Sequence, residues 1–224
     1  LLKIKMLIPK IIHQIYGLFD DGKTIHDFPR FVECAAHNEK FAEDNQQTYC
    51  YLLWDKIKCD ALIRDRFPEY QNLWDDFVYP IQKADFIRYC ILYTYGGIYI
   101  DLDVKIIQNP ESLLSNPYFF TTWTDDLRKL PYNAILGAES DLKLYEDILK
   151  HCKESFYEKI KMEIYEKWTG RLVFQTTGHF MLNRVLKRHK ITPMDLLKVN
   201  TKDGTVVSSE NPYFEDYNAS IWYN

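Results

Sequence analysis

The chain is 224 residues long, 46% hydrophobic and 27% charged, with a formal net charge of −4. Those proportions exclude collagen-like and disordered classes and fit one soluble globular domain spanning 1–224, able to bury roughly 70% of its extended-chain surface with no disulfide or structural zinc. The acidic balance, with a sequence pI near 5.9, lacks the concentrated basic face that a dedicated nucleic-acid binder needs, so no nucleic-acid partner is expected.

The opening is short and charged, with Lys3 and Lys5 among its first six residues, and does not read as a signal peptide. Residues 1–5 read as an appended leader or the start of a fragment. No apolar run approaches the roughly 18 residues of a membrane span, which leads to the expectation of a cytoplasmic or otherwise soluble domain. Ile11, Ile12 and Ile15 predict a short buried strand within 7–16, with Pro9 near its beginning and Gly17 at its end. After a loop at Asp20-Asp21-Gly22, a helix is expected over about 29–45. A second strand follows at 50–54, closed by Asp55 as the cap of a helix over 56–66, and a further helix is expected over 70–77.

The clearest passage is 80–104. Pro80 suits a first helical turn, and Ala84, Ile87, Ile91 and Leu92 predict one apolar helix face. Gly96-Gly97 ends the helix as a left-handed cap. Ile98-Tyr99-Ile100 then reads as a buried strand with Asp101-Leu102-Asp103 at its carboxyl end. Ligands of open α/β sheets bind just beyond such strand ends. Later elements are a strand at 118–123, a mixed-charge helix over about 142–164, a helix over 180–187 after Thr176-Thr177-Gly178, and a hairpin turning at Asp203-Gly204. The alternation indicates an α/β fold with a mixed sheet. The five cysteines, odd in number and without a C-x-x-C pair, point to buried thiols in a reducing compartment.

On a regular strand, Asp101 and Asp103 would face the same side. Two such carboxylates repel unless a cation lies between them, and all-oxygen ligation selects Mg²⁺ or Mn²⁺. A bare D-x-D is short and usually marks a solvated turn, so its neighbours decide. Asp85 and Arg88, three apart on the preceding helix, share a face and can converge on one polar ligand; an ordinary surface ion pair is the bland alternative. The helix is otherwise apolar over 86–93, which argues against mere solvation.

Taken together, Ala84-Asp85-Phe86-Ile87-Arg88-Tyr89 and the run Leu92-Tyr93-Thr94-Tyr95-Gly96-Gly97-Ile98-Tyr99-Ile100-Asp101-Leu102-Asp103-Val104 strongly resemble the core of the DXD-sugar glycosyltransferases. That group includes initiating mannosyltransferases, inositol-phosphoceramide mannosyltransferases and capsular-polysaccharide enzymes, and more distantly the glucosylating domains of large clostridial toxins. Ile8-Pro9-Lys10-Ile11-Ile12-His13-Gln14-Ile15-Tyr16-Gly17, Tyr51-Leu52-Leu53-Trp54-Asp55, Thr177-Gly178 and Ser220-Ile221-Trp222 resemble further family segments in order, although His179 stands where a proline is usual.

The resemblance implies a GT-A fold, a Rossmann-like mixed sheet with flanking helices, and a retaining transfer of a hexose from a nucleotide-sugar donor, UDP-hexose or GDP-mannose. The acceptor would be a glycan, a lipid or a protein. It further implies that Asp103 ligates Mn²⁺ or Mg²⁺ directly, that Asp101 reaches the ion through water or holds the ribose, and that Asp85 and Arg88 hold the sugar hydroxyls. Tyr16 would stack on the base and Tyr99 lie beside the pyrophosphate or sugar. Ser220 and Trp222 would fold over the diphosphate, and Asn218 or Asp216 would replace a usual histidine as a metal or phosphate ligand. Asn133 and Gln175 are candidates for the acceptor side. His13 and His179 read as hydrogen-bonded residues rather than bases, and 150–167 reads as a solvated helical face, with membrane or acceptor docking as the alternative. Two other readings stand beside this one. A non-catalytic sugar-nucleotide-binding module would share the scaffold. A Mg²⁺-dependent phosphotransferase would also place D-x-D after a strand, but Lys105 and the late position of the motif disfavour it.

Overall fold

A computed structural model describes residues 6–19, 21–45, 49–123, 130–161, 169–192, 197–202, 205–207 and 213–217. Strand β1 (Ile11–Ile15) lies between β2 (Cys50–Trp54) and β3 (Gly97–Ile100) and is parallel to both. Helix α1 (Pro29–Asp44) connects β1 to β2. Helices α2 (Lys56–Arg66), α3 (Gln71–Asp76) and α4 (Pro80–Tyr95) lead from β2 to β3. Beyond β3 the sheet becomes mixed. β3 pairs antiparallel with β6 (Pro131–Ala138), β6 antiparallel with β5 (Tyr118–Trp123), and β5 parallel with β7 (Leu197–Lys202). β7 pairs antiparallel with β8 (Thr205–Val207), the expected turn at Asp203-Gly204 lying outside the described residues; β8 pairs with β9 (Phe214–Asp216), which in turn pairs with β4 (Val104–Ile106). The remaining helices are α5 (Lys143–Lys161), α6 (Thr169–Thr176) and α7 (His179–Arg188).

Strand alternation divides the core between the two faces of the sheet. Tyr99, Phe120 and Leu136 enter the cluster built with α2, α4, α5 and α7. Their neighbours Ile98, Ile100, Phe119 and Ile135 enter a second cluster, with Ala42 of α1, Val104 and Phe214. Asn38 of α1 is fully buried on this second side. Its amide donates to the Val104 carbonyl (2.8 Å) and accepts from the Ile106 N–H (2.9 Å), so a side chain serves as a strand partner for β4.

The expected α/β architecture is present, with two departures. The helix expected over 70–77 is α3, preceded by a 3-10 turn at Pro68–Tyr70. Helix α4 is buried almost all round from Gln82 to Leu92, because it lies between the sheet and the other helices rather than on the surface with one apolar face. Most consequentially, β3 ends at Ile100, and Asp101-Leu102-Asp103 form a turn closed by Val104 N–H donating to the Asp101 carbonyl at 3.0 Å. Strand alternation therefore does not orient the two carboxylates; the turn does. Elements β4, β6, β9 and α6 had no counterpart in the sequence reading.

Gly96 and Gly97 have φ of +63° and +101°. A Cβ on Gly97 would sit 2.6 Å from the Ile11 carbonyl oxygen. The double glycine thus lets α4 reverse directly into β3 against β1. His13 locks the junction. Its Nε2–H donates to the Gly96 carbonyl (2.9 Å) while Nδ1 accepts the indole N–H of Trp54 (3.1 Å). Burial lowers the His13 pKa to about 4, against the partial opposing effect of the Gly96 contact. It is a neutral structural histidine.

Candidate active site

Because α4 runs directly into β3, its first half lies back toward the carboxyl end of the parallel strands. There it meets the 101–103 turn. Asp85 and Arg88 are 4% and 3% exposed and form an ion pair at 3.1 Å. Asp85 Oδ1 also accepts from Asn133 Nδ2 of β6 (2.9 Å), and Oδ2 accepts from the Thr177 hydroxyl (3.0 Å) between α6 and α7. The guanidinium donates to the Ala84 carbonyl (3.1 Å) and the Asn133 carbonyl (2.7 Å), and reaches Asp101 Oδ1 at 3.2 Å. Its carbon lies 4.7 Å from the centre of the Tyr99 ring. Tyr99, 2% exposed, donates its hydroxyl to the same Asp101 oxygen at 2.6 Å. One cation thus ties two carboxylates into a continuous chain of charge-assisted contacts.

The field in this region is strongly negative. Burial raises the Asp85 pKa to about 6, against the pull of Arg88 and with a further push from Asp101. Burial alone would lower that of Arg88, but Asp101, Tyr99 and Asp85 hold it above its ordinary value. The Tyr132 phenol is pushed far up by burial, then by the carboxylates of Asp216, Asp103 and Asp101. Tyr132 donates to the fully buried Asp216 of β9. The N–H of the next residue, Tyr217, donates to the Asp103 carbonyl at 3.0 Å. The 101–103 turn is therefore flanked by β9, on which Asp216 stands.

The structure brings Asp85, Arg88, Tyr99 and Asp101 together in direct contact, with Asp103 two residues on. Asn133 is part of the same network through Asp85 rather than apart from it. Tyr16 stands just after β1, half-buried, with its N–H bonded to the Trp54 carbonyl and its ring edge toward Phe28. Gln175 offers its carbonyl to Arg184 (2.7 Å), and His179 packs its ring 4.2 Å from that of Phe174. Asn218, Ser220 and Trp222 lie outside the described residues. The sequence reading missed Tyr132 as the partner of Asp216, and it missed Gln14 as the partner of the Asp101 carbonyl. Neither is marked by any local spacing, since each bonds to a residue more than eighty positions away.

Residues 32–120, which contain α4, β3 and the turn, match the family model described as the glycosyltransferase sugar-binding region containing the DXD motif. Over this region the chain is similar to the DXD-containing glycosyltransferases. It is 30% identical over 220 residues to a mannosyl phosphorylinositol ceramide synthase of Saccharomyces cerevisiae, covering 96% of this chain and 50% of that protein. An inositol phosphoceramide mannosyltransferase of Schizosaccharomyces pombe is 37% identical over 225 residues, 97% of this chain and 59% of that one. The chain thus spans about half the length of these curated relatives. Among solved structures it is similar to the PaToxG glycosyltransferase, with a TM-score of 0.54 at 14% identity over 81% of this chain and 69% of that one. That likeness supports the fold.

The donor set of the turn is all oxygen, which suits a hard divalent ion. Among the described residues, no three His, Cys, Asp or Glu side chains are grouped to hold a metal alone. A hard divalent ion held by the two aspartates would have to take its other ligands from water or from the phosphates of a ligand. All five cysteines are free thiols, Cys50 exposed and the others buried. No described helix is long and apolar enough to cross a membrane.

Proposed function

We propose that this domain transfers a hexose, with mannose the first choice, from a nucleotide-sugar donor to a hydroxyl of an inositol-phosphate-bearing lipid acceptor, with retention of anomeric configuration and dependence on Mn²⁺ or Mg²⁺. The observation that carries this reading is the chain Asp85–Arg88–Asp101, buried at Asp85 and Arg88 and half-buried at Asp101, anchored by Tyr99 at the carboxyl end of the parallel strands. The choice of sugar and acceptor rests on the printed names of the relatives, which are mannosyl and phosphorylinositol ceramide enzymes.

In this reading Asp85 and Arg88 fix the sugar hydroxyls, Tyr16 stacks on the base and Tyr99 works through Asp101. Asp103, with Asp101 through water, would hold the ion; Ser220 and Trp222 would fold over the diphosphate, with Asn218 or Asp216 as a further metal or phosphate ligand. The chemistry a bound divalent ion supplies there is neutralisation of the charge growing on the departing diphosphate. The bond from the anomeric carbon to the diphosphate oxygen breaks, and one to the acceptor oxygen forms on the same face. The acceptor proton passes to the departing diphosphate oxygen. Arg88 touches both carboxylates, so the sugar-holding and diphosphate-holding ends are set in one geometry, which is the source of an orientation advantage.

The test is a panel of nucleotide sugars with and without Mn²⁺, read by mass spectrometry for hydrolysis and transfer. Metal-dependent consumption of one donor is expected. Asp103→Ala should lose turnover and metal dependence together, and full activity in that variant overturns the site. Donor binding without turnover, in the presence of inositol-phosphate lipids, would favour a non-catalytic module.

A further inference from the structure

Gln14 of β1 is completely buried, although its strand neighbours Ile12 and Ile15 are apolar. Its Nε2–H donates to the Asp101 carbonyl at 2.9 Å. Its Oε1 accepts the hydroxyl of Tyr51, on β2, also at 2.9 Å. The register of β1 on β3 runs through Ile12 with Ile98 and His13 with Tyr99 and stops there. Gln14 therefore carries the connection one step past the point where the backbone ladder ends, and does so to the first residue of the D-x-D turn. The same carbonyl accepts Val104 N–H at 3.0 Å, and Asp101 N–H donates to the Ala134 carbonyl at 2.8 Å. The turn is thus held by β1, by β6, by its own closing bond and, at Asp103, by the N–H of Tyr217.

An apolar residue at position 14 would fill the space as well, but it would leave the Asp101 carbonyl held by Val104 N–H alone. That carbonyl belongs to the peptide between Asp101 and Leu102, so loosening it loosens the link that sets the two aspartates relative to one another. The Asp101 carbonyl, which can only accept, selects which end of the Gln14 amide faces the turn, since the flipped amide would set oxygen against oxygen there, and the Tyr51 hydroxyl braces the amide in that position by donating to its oxygen. We propose that Gln14, braced by Tyr51, is a positioning residue that sets the geometry in which the Asp101–Asp103 turn receives a divalent ion and a diphosphate. The inference rests on the glycosyl-transfer reading for its ligand and on the hydrogen bonds above for its mechanism.

The experiment compares the wild-type chain with Gln14→Met, which keeps length without polarity, and Tyr51→Phe, which removes only the bracing hydroxyl. Mn²⁺ binding in the presence of UDP or of GDP is measured by electron paramagnetic resonance, beside kcat, donor KM and the melting temperature. Loss of a group that orients metal ligands typically costs about 10–100-fold in metal affinity or activity. Gln14→Met is expected to weaken Mn²⁺ binding about tenfold or more and to lower kcat beyond any change in donor KM. Tyr51→Phe is expected to weaken Mn²⁺ binding in the same direction by a smaller factor at an unchanged melting temperature. Wild-type Mn²⁺ affinity and kcat in both variants, whatever the melting temperatures, would overturn the proposal and leave Gln14 a packing residue. If Gln14→Met does not fold, Tyr51→Phe decides by the same criterion. Failure of the wild type itself to bind Mn²⁺ with either nucleotide would strike the glycosyl-transfer reading, and this proposal would fall with it.

Discussion

His13 and Asp85 are both buried, both titrate well away from their ordinary ranges, and act on stability with opposite signs. His13 ionises near pH 4 in the fold against about 6.5 when unfolded. Between those values the unfolded chain binds the extra proton, so the stability His13 lends is full above pH 6.5 and drains away as pH falls toward 4. Asp85 ionises near pH 6 in the fold against 3.8 when unfolded. There the folded chain binds the extra proton, so its contribution is full below 3.8 and is lost as pH rises through 6. Each shift is worth about 3 kcal/mol at its limit, and the two largely offset one another in the wild type. Single variants should uncover them. From pH 7 to pH 5, His13→Gln should gain about 1–2 kcal/mol relative to the wild type in urea unfolding, and Asp85→Asn should lose a similar amount. Parallel pH profiles for all three proteins would show that neither group is buried in the charge state described. Asp85→Asn should also lose transfer activity at every pH, because it removes the carboxylate that Arg88, Asn133 and Thr177 converge on.

At the scale of elements, two junctions hold the site and each has a single weak point. The first is α1 on β4, through Asn38. Asn38→Leu keeps the volume but strands the Val104 carbonyl and the Ile106 N–H in the core, at about 1–3 kcal/mol for each unsatisfied group. A total loss of roughly 2–4 kcal/mol in chemical unfolding is expected, together with faster hydrogen exchange at Ile106. A loss under about 1 kcal/mol would mean that water replaces the amide. The second junction is α4 into β3. Gly97→Ala forces a left-handed backbone on alanine and drives its Cβ into the Ile11 carbonyl, so a loss of about 3 kcal/mol or more and a sharply lower melting temperature are expected. A wild-type melting curve would contradict the geometry. This second junction is legible in the sequence because all its signals are local: a proline at the first turn, an apolar helix, two glycines, then a strand. The missed elements lack local signals. β6 opens on Pro131 and is covered on both faces, so it does not alternate. α6 is eight residues long with Gly170 inside it, and it is held by packing of Val173 and by Thr176 accepting from Gln82. β9 is Phe214-Glu215-Asp216, a composition that disfavours a strand until Tyr132 and β4 supply partners.

For the whole molecule, the same contrast separates residues that can be named from sequence from the way they are connected. Asp85, Arg88, Tyr99, Asp101 and Asp103 sit within nineteen positions of one another and carry a recognisable pattern. The groups that hold them come from β1, β2, β6, β9 and the α6–α7 joint, and only the sheet order places these together. A ligand seated on the 101–103 turn would therefore be felt by most of the fold rather than by one loop. This gives a global prediction. With Mn²⁺ and the correct nucleoside diphosphate at about one hundred times the dissociation constant, binding should stabilise the native state by about 2.7 kcal/mol. For a domain of this length that corresponds to a rise of roughly 5–10 °C in melting temperature. The rise should appear with only one of UDP and GDP, disappear on adding EDTA, and be absent in Asp103→Ala. A rise of equal size for both nucleotides without metal would mean that the phosphates bind somewhere other than at the aspartates, and would move the site off the turn.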